Sequence, residues 1–511
     1  MTKVIGLAEL KPLQDCVLAY GHFSVVHLGH LRYLRYAKAQ GKLLVVALMG
    51  DQSAEGQADY PFTQLERAEA LSALNLIDYI ILLNGKELTG VVNTLQSKTI
   101  VLGTEYESTT DPDIKAALTQ QVNQGREVQF HAGETHYSST ELLTSSEHQI
   151  EQFRRSAFLA ALHRQGLQVQ DLLGALSNIS NAHLIVLGDV IVDRYVACEA
   201  VGMSAEAPVI VVRELESRNY MGGAAIVAAH VRALGARCTL CSVIGEDEVG
   251  NYLSNALQEC DVNTALIKDA KRPTTLKMRY VVENQKLFRV SRLEEKRLDK
   301  VIEQRLLEQL EAMAIRGDVD GIIVSDFVYG VVTPEVLECV KRIAKKHQIM
   351  LFGDLQCSSQ VGSVTRFKNF DLICPNEREA RIALQDKDSG LEAISNKMFN
   401  ETNCKNLIMK LGSEGFIVYG QNGSSALNRE HFPALNANPI DVMGAGDSLL
   451  AVMATGMASG QSLMSTAALA GCMASLAVER MGNTPVSQEE LRERLVSVFT
   501  QGRQTPNSTE H

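Results

Sequence analysis

The chain has no tryptophan, an aromatic content of 5% and only 11 prolines in 511 residues. With 45% hydrophobic and 21% charged residues, so little proline excludes a long disordered or proline-rich scaffold, and a folded globular protein is expected. No uninterrupted apolar run approaches the roughly 18 residues of a membrane span, and Met1-Thr-Lys-Val-Ile-Gly lacks the apolar core of a signal peptide. A cytoplasmic protein with no membrane partner follows as an expectation. An excess of positive charge is missing too. The formal net charge is −11, whereas a general nucleic-acid binder needs clustered Lys and Arg, so no nucleic-acid partner is expected and anionic ligands must be captured locally. The ten cysteines lack the dense spacing of a secreted disulfide framework. Only Cys238 and Cys241 form a CxxC. They fall in an apparent strand, where residues three apart face opposite sides, and no second pair completes a zinc site.

What is present points to chemistry most clearly at Asp441-Val-Met-Gly-Ala-Gly-Asp447-Ser448, which precedes a run of small apolar residues. Gly444, Ala445 and Gly446 bring bare backbone N–H groups to a helix start, where unpaired donors and the helix dipole favour a phosphate or a developing oxyanion. Asp447 falls on the first helical turn. A carboxylate there can accept a hydroxyl proton while the N–H groups hold a transferred phosphoryl group. A glycine turn that merely caps a helix is the bland alternative.

Length alone implies roughly two to four domains. In the first, apolar runs at Val17 to Tyr20, Leu43 to Leu48, Tyr79 to Leu83, Thr99 to Leu102 and Val128 to Phe130 alternate with helix-like segments, the pattern of a parallel α/β sheet. The first run leads into Gly21-His-Phe23-Ser-Val-Val-His27-Leu-Gly-His30, at the strand end where such sheets gather ligands. His27 and His30 share a face if a helix begins here, and two imidazoles beside a helix N-terminus can hold a triphosphate. A structural pair and a metal pair are the alternatives. The pattern Gly-x-Phe-x-x-x-His-x-Gly-His resembles the cytidylyltransferase-like nucleotidyltransferases, as do the helix carrying Arg67 and the segment Tyr137-Ser138-Ser139-Thr140. That resemblance implies that Gly21, Phe23, Arg67, Ser138, Ser139 and Thr140 bind the nucleotide and that His27 and His30 act in nucleotidyl transfer. Ser24 and Leu102 depart from the family pattern, which has Asp and Lys there.

Residues from about Glu141 to Leu176 read as helices with an apolar stripe, expected to form a connector. A new strand, His183 to Gly188, then reaches Asp189, Asp193 and Arg194; the acids can bind sugar hydroxyls or serve as turn and ion-pair partners. Met203-Ser-Ala-Glu206-Ala-Pro leads into Val209 to Val212, and Gly222-Gly223 opens a helix. Those strands, with Thr239 to Ile244, Leu276 to Val282 and Lys286 to Val290, can form a small sheet closing over a site as a lid. Lys277, Arg279 and Arg289 alternate with apolar neighbours and can face a phosphorylated sugar. From Gly321 onward each strand ends in an acid or amide: Asp326, Asp354, and Asn376 after Asp371-Leu-Ile-Cys-Pro. Asn376 and Glu379 can hold Mg²⁺ through water or simply cap a helix.

The order Gly-Gly, Asn-x-x-Glu, Gly-Ala-Gly-Asp resembles the ribokinase-like carbohydrate kinases over about residues 180 to 485. Gly188-Asp-Val-Ile-Val-Asp-Arg-Tyr, Ser204-Ala-Glu-Ala-Pro, Arg272-Pro-Thr-Thr and Gln285-Lys-Leu-Phe-Arg are similar to the kinase half of the fused bacterial ADP-heptose synthases. Those carry a nucleotidyltransferase of the first domain's type; here the transferase comes first. The resemblance implies Asp447 as base, Gly444 to Gly446 as anion hole, and Asn376, Glu377, Arg378, Glu379 and Gly412 as the ATP and Mg²⁺ site. Asp189, Asp193, Arg194, Glu206, Gly222, Gly223, Lys277, Arg279 and Arg289 would meet the sugar. Ile226, Tyr329 and Gln356 stand where those relatives have Asn, Lys and Lys.

The expected organisation is a Rossmann-like α/β nucleotidyltransferase domain (residues 11–145), a helical connector (146–178), a ribokinase-like α/β domain with a small β lid (179–490), and a C-terminal helix and tail (491–511). The expected function is bifunctional: phosphorylation of a sugar phosphate, best a heptose 7-phosphate, and nucleotidyl transfer to the sugar 1-phosphate, giving an ADP-heptose. The same reactions on another sugar or polyol, with CTP in the second, or a nucleotide-binding regulatory protein, are the alternatives. A homodimer is expected.

Overall fold

A computed structural model of the chain describes residues 2–23, 26, 28–51, 62–85, 87–103, 106, 109, 111–130, 147–206, 209–283, 285–316, 318–356, 362–387, 389–421 and 427–500. The chain divides into two compact units, one of residues 1–146 with 385–397, the other of 147–384 with 398–511.

The first unit is built on a six-stranded parallel sheet of β1 (Lys3–Gly6), β2 (Cys16–Gly21), β3 (Leu43–Leu48), β4 (Tyr79–Leu82), β5 (Thr99–Leu102) and β6 (Glu127–Phe130), in the order β1-β4-β3-β2-β5-β6. Both faces are covered, which is why its central strands read as continuous apolar runs. In β2, Leu18 and Tyr20 enter one core while Val17 and Ala19 enter the other, as a period of two requires. Strand order reverses at β2, so its carboxyl end, where Gly21 lies, is the topological switch point at which such sheets bind ligands. The edge strand β1 was not apparent from the sequence, where the first domain was expected to begin near residue 11.

The second unit contains a nine-stranded sheet and a separate four-stranded one. The large sheet joins β7 (His183–Gly188), β10 (Arg237–Gly245), β11 (Asn263–Asp269), β14 (Gly321–Asp326), β15 (Met350–Leu355), β16 (Leu372–Ile373), β17 (Asn406–Lys410), β18 (Phe416–Gln421) and β19 (Leu427–Phe432), in the order β11-β10-β7-β14-β15-β16-β17-β18-β19. It is parallel from β11 to β17 and antiparallel across β17, β18 and β19. The smaller sheet, β13-β12-β8-β9, comprises β8 (Val190–Met203), β9 (Ile210–Gly223), β12 (Thr275–Val282) and β13 (Gln285–Arg292).

Two sequence expectations change here. Thr239 to Ile244, expected in the lid, lies in β10 of the large sheet, between β11 and β7, where Leu240 and Ile244 join the main core. Its place in the lid is taken by β8, whose acids and Arg194 had suggested a strand end. The chain in fact turns from the large sheet into the lid at Gly188 and Asp189. An added Cβ at Gly188 would lie 1.8 Å from the carbonyl oxygen of Ser325, so only glycine fits that crossing. Cys238 and Cys241 are both buried within β10.

The helices Glu147–Arg164 and Val169–Asn178, expected as a connector, are part of the second unit's core. Phe158, Ala161, Leu162, Leu172 and Leu176 are buried with residues of the main cluster, and the Phe158 ring lies 5.7 Å from that of Phe432. Polar ties reinforce this: Arg164 donates to Glu430 at 2.8 Å, and Arg155 Nε donates to the Val498 carbonyl at 2.6 Å. The closing helix, Gln488–Thr500, buries Leu491, Leu495 and Val498 in the same cluster. Because Phe158 is fully buried, Phe158→Ala should destabilise the second unit by about 3 kcal/mol or more. Urea unfolding checks this; a loss below about 1 kcal/mol would make the helix a detachable connector after all.

Candidate functional site

A cavity of about 700 Å³ opens in the second unit, lined by the polar residues Asp193, Lys277, Arg279, Arg289, Gln356 and Asp447 and by the apolar residues Phe416, Leu435, Val442 and Met443. Its floor is the start of the helix Ala445–Ala458. That helix is buried around its whole circumference, as its small apolar sequence requires. Gly444 is its N-cap with φ +78°, and an added Cβ would fall 2.2 Å from Asn483 Oδ1, so both conformation and space demand glycine. The N–H groups of Ala445, Gly446 and Asp447 belong to the first turn, which a helix cannot satisfy internally, and all three residues line the cavity.

Asp447 is 5% exposed and accepts a hydrogen bond from Gln356 Nε2 at 2.9 Å. Gln356 follows β15, and the same nitrogen lies 3.3 Å from Asp354 Oδ2. Lys410, the last residue of β17, donates to both Asp354 oxygens at 2.7 and 2.9 Å. Three ionisable groups thus meet where two strands end and a helix begins. Burial, then the charges of Asp354 and Asp193, push the Asp447 carboxyl up to about 7, while Lys410 and the Gln356 donor pull the other way. Burial opposes the Lys410 charge, but Asp354 and Glu379 more than offset it, and the ammonium is held above the usual lysine range.

The lid supplies part of the cavity wall. Asp193 of β8 and Arg279 of β12 form a buried ion pair. Gly222 leaves room for it, since an added Cβ would lie 2.5 Å from Asp193 Oδ2. The Lys277 ammonium, 4% exposed as a residue, lies 5.1 Å from the ring centres of both Phe327 and Tyr329. This accounts for Tyr329: it is a buried platform for a lysine. Ile226 is fully buried in the main core and does not line the cavity. Asp441, at the head of the glycine loop, accepts from Tyr195 of β8 and, at 3.0 Å, from Lys286 of β13. Burial opposes its charge, but those two donors hold its carboxyl below the usual range.

Several expected site residues stand elsewhere. Asp189 is not at the cavity: its carboxylate accepts the N–H groups of Phe327, Tyr329 and Val331 at 2.8, 3.2 and 3.1 Å, fixing the loop after β14. Arg194 points along the lid to Asn219 Oδ1 at 2.8 Å, and Glu206 is exposed in the turn between β8 and β9. Glu377 pairs with Arg381 at 2.7 Å, and Arg378 is exposed; neither lines the cavity. Asn376, Glu379, Gly412 and Gly223 do line it. Asn376 and Glu379 cap one another, each backbone N–H donating to the other's side chain at 2.8 Å, so the capping alternative is realised. The sequence reading gave no role to Lys410, although a lysine ending an apolar strand just before a glycine turn was a signal for one.

In the first unit, His30 lies in the first turn of the helix Leu28–Ala39, its ring 4.9 Å from that of Phe23, which has φ +48°. Arg67, 2% exposed, donates to the carbonyls of His22 and Met49 and to Asp51 Oδ1 at 2.8 Å. It therefore ties together the ends of β2 and β3 beside Gly21. His27, Ser138, Ser139 and Thr140 lie outside the described residues.

A kinase-like site on this architecture agrees with the comparisons. Residues 181–490 match the model of the pfkB family carbohydrate kinases, and residues 18–145 match the cytidylyltransferase-like model. The chain belongs to the pfkB carbohydrate kinase family, with a cytidylyltransferase-like domain preceding the kinase domain. It is 33% identical over 317 residues to a bifunctional protein HldE of Trichlorobacter lovleyi, covering 61% of this chain and 62% of that protein. A bifunctional protein HldE of Nitratiruptor is 31% identical over 313 residues, 61% of this chain and 64% of that one. These matches span less than two thirds of the relatives' length. Phosphofructokinase-2 from Escherichia coli, solved with substrates and products, superposes with a TM-score of 0.51 at 17% identity, over 62% of this chain and 99% of that one. Ribokinase from Giardia lamblia gives 0.50 at 16% identity, over 62% and 99%. Both establish the ribokinase-like fold. Among the described residues no helix is long and apolar enough to cross a membrane.

The raised Asp447 carboxyl has a consequence for stability. Between the ordinary aspartate value and about 7 the folded protein keeps a proton that the unfolded chain has released, so this group's contribution falls as pH rises through that window. Asp447→Asn, which keeps the shape without the charge, should therefore melt a few degrees above the parent near pH 8, the gap closing toward about pH 4. Thermal melts across that range check the sign.

Proposed function

We propose that the protein is a bifunctional enzyme of nucleotide-sugar synthesis, its second unit phosphorylating a sugar phosphate from ATP and its first joining the sugar 1-phosphate to a nucleotide. One observation carries the kinase half. A buried carboxylate stands on the first turn of a helix whose free N–H groups face a cavity ringed by Lys277, Arg279 and Arg289. Asp447 accepts the proton of the acceptor hydroxyl, whose oxygen attacks the γ-phosphorus as the bond to ADP breaks. The N–H groups at Ala445 and Gly446 stabilise the charge on the transferred group.

Lys277 and Arg289, beside the Asp193–Arg279 pair, favour an acceptor already carrying phosphate, which a neutral sugar would not need. Heptose 7-phosphate, leading to an ADP-heptose, is the particular substrate that the sequence resemblance supports. The apolar wall around Phe416, Leu435 and Val442 suits a nucleotide base. Mg²⁺ neutralises charge on the nucleotide phosphates when bound. Among the described residues no group of three or more His, Cys, Asp or Glu is arranged to hold an ion, and Asn376 and Glu379 are engaged with each other, so the ion fits here as a companion of the nucleotide, contacted through water.

For the first unit, the support is the switch-point position of Gly21, with Phe23 and His30 after it, together with the family match. Arg67 then acts by holding the strand ends in place. In this chain the cytidylyltransferase-like match precedes the kinase match.

With Mg-ATP and a panel of sugar phosphates, the purified protein should form ADP, and with ATP and a sugar 1-phosphate it should release pyrophosphate. Asp447→Asn should lower ADP formation by about a thousandfold and leave pyrophosphate release intact. Kinase turnover within tenfold of the parent would remove Asp447 from the role of base, and absence of both products with every acceptor would end the catalytic reading.

A further inference from the structure

Gln356 occupies the one position in the cavity that touches Asp447 through a side-chain hydrogen bond among the described residues. We propose that Gln356 is a positioning residue for the phosphoryl-transfer base: its amide nitrogen, gripped between Asp354 and Asp447, fixes one oxygen of Asp447 and turns the other toward the acceptor hydroxyl. This rests on the kinase reading of the same site.

The chemistry assigns the amide's orientation. The terminal atom lies 2.9 Å from Asp447 Oδ1 and 3.3 Å from Asp354 Oδ2. Two carboxylate oxygens accept and do not donate when ionised, so the atom between them must be the NH₂ group, which has two hydrogens to give. The backbone of Gln356 is fixed as well, its N–H donating to the Asp326 carbonyl at 2.9 Å, so the side chain reaches the cavity from a rigid strand end.

The groups around Asp447 make this contact matter. Asp354 of β15 faces it with negative charge, Asp193 of β8 adds more and is itself paired with Arg279 of β12, and Lys410 of β17 supplies the positive charge. Lys410 gives its hydrogen bonds to Asp354. Its ammonium lies against the anion hole, 3.3 Å from where a Cβ on Gly446 would be, with Gln356 Nε2 4.0 Å from the same point. Gln356 is thus the neutral spacer between two acids, one neutralised by lysine and the other left as base. Without a donor between them, Asp447 would hold its proton to higher pH. With a cation there, it would release the proton at lower pH.

Two substitutions at this position therefore move the base in opposite directions, which a general loosening of the site would not do. The full-length parent, Gln356→Leu and Gln356→Lys are titrated in two ways. In protein labelled with ¹³C at the aspartate carboxyls, the Asp447 signal, identified by its loss in Asp447→Asn, is followed against pH without substrate. The acid limb of kcat/KM for ADP formation is then recorded. Gln356→Leu should raise both midpoints by about one unit and Gln356→Lys should lower them by about one unit or more. Midpoints that coincide in all three proteins, or shift in the same direction, overturn the assignment. Should the parent form no ADP, the kinase reading fails, and the substrate-free titration alone decides what Gln356 does to Asp447.

Discussion

The second unit depends on the buried contact between Lys410 and Asp354. One ammonium is shared unequally between two acids: Asp354 holds it with both oxygens, and Asp447 receives only its field across the intervening Gln356. Removing the lysine would leave two buried carboxylates facing each other beneath a helix N-terminus, and breaking such a pair costs about 3–5 kcal/mol. The unequal sharing is also what makes Asp447 chemically useful. A carboxylate fully paired with a cation is a weak base, whereas one denied its counter-ion and buried keeps an affinity for protons near neutral pH.

That arrangement is assembled from strand ends by close backbone approaches. β15 delivers Asp354 and Gln356, β17 delivers Lys410, and the glycine loop delivers Asp447. The lid is anchored to the same layer by the turn at Gly188, where the Ser325 carbonyl occupies the space a side chain would need, and by Asp189, whose carboxylate collects three N–H groups from the loop after β14. That loop carries Phe327 and Tyr329, the platform for Lys277. A residue with no contact to the cavity therefore sets the position of one that lines it. At the other end, Tyr195 and Lys286 of the lid both bind Asp441, so the head of the glycine loop is joined to two lid strands.

Much of this was legible in the sequence, for identifiable reasons. Gly444 to Asp447 could be read because a positive φ, a helix start and an acid leave a local signature. Lys277 and Arg279 could be read because strand alternation places residues two apart on one face. Asp189 was misassigned because nothing local announces that a strand-end carboxylate will meet backbone donors 138 to 142 residues later. Thr239 to Ile244 fits either sheet, since a short apolar run carries no information about which partner it pairs with. Lys410 and Asp354 lie 56 residues apart, and their pairing appears only once β15 and β17 are brought to either side of β16. Asn376 and Glu379 show the limit of spacing arguments: the same two residues suit a hydrated ion and a capping box, and the hydrogen bonds alone select the latter.

The balance of charge in the cavity also explains how an acidic protein can be built to take an anion. The chain carries a net charge of −11, so its overall field repels phosphate, and long-range steering is of no help. Within the cavity, Arg279 is paired with Asp193 and Lys410 with Asp354, and Lys277, Arg289 and the start of the glycine-loop helix line the wall beside them. Lys277 lies against the aromatic faces of Phe327 and Tyr329, which stabilise the cation where it borders the cavity. An anion entering there meets cationic side chains and a helix N-terminus in one wall, where charge-assisted bonds are strong, which is how local placement overcomes an unfavourable global charge.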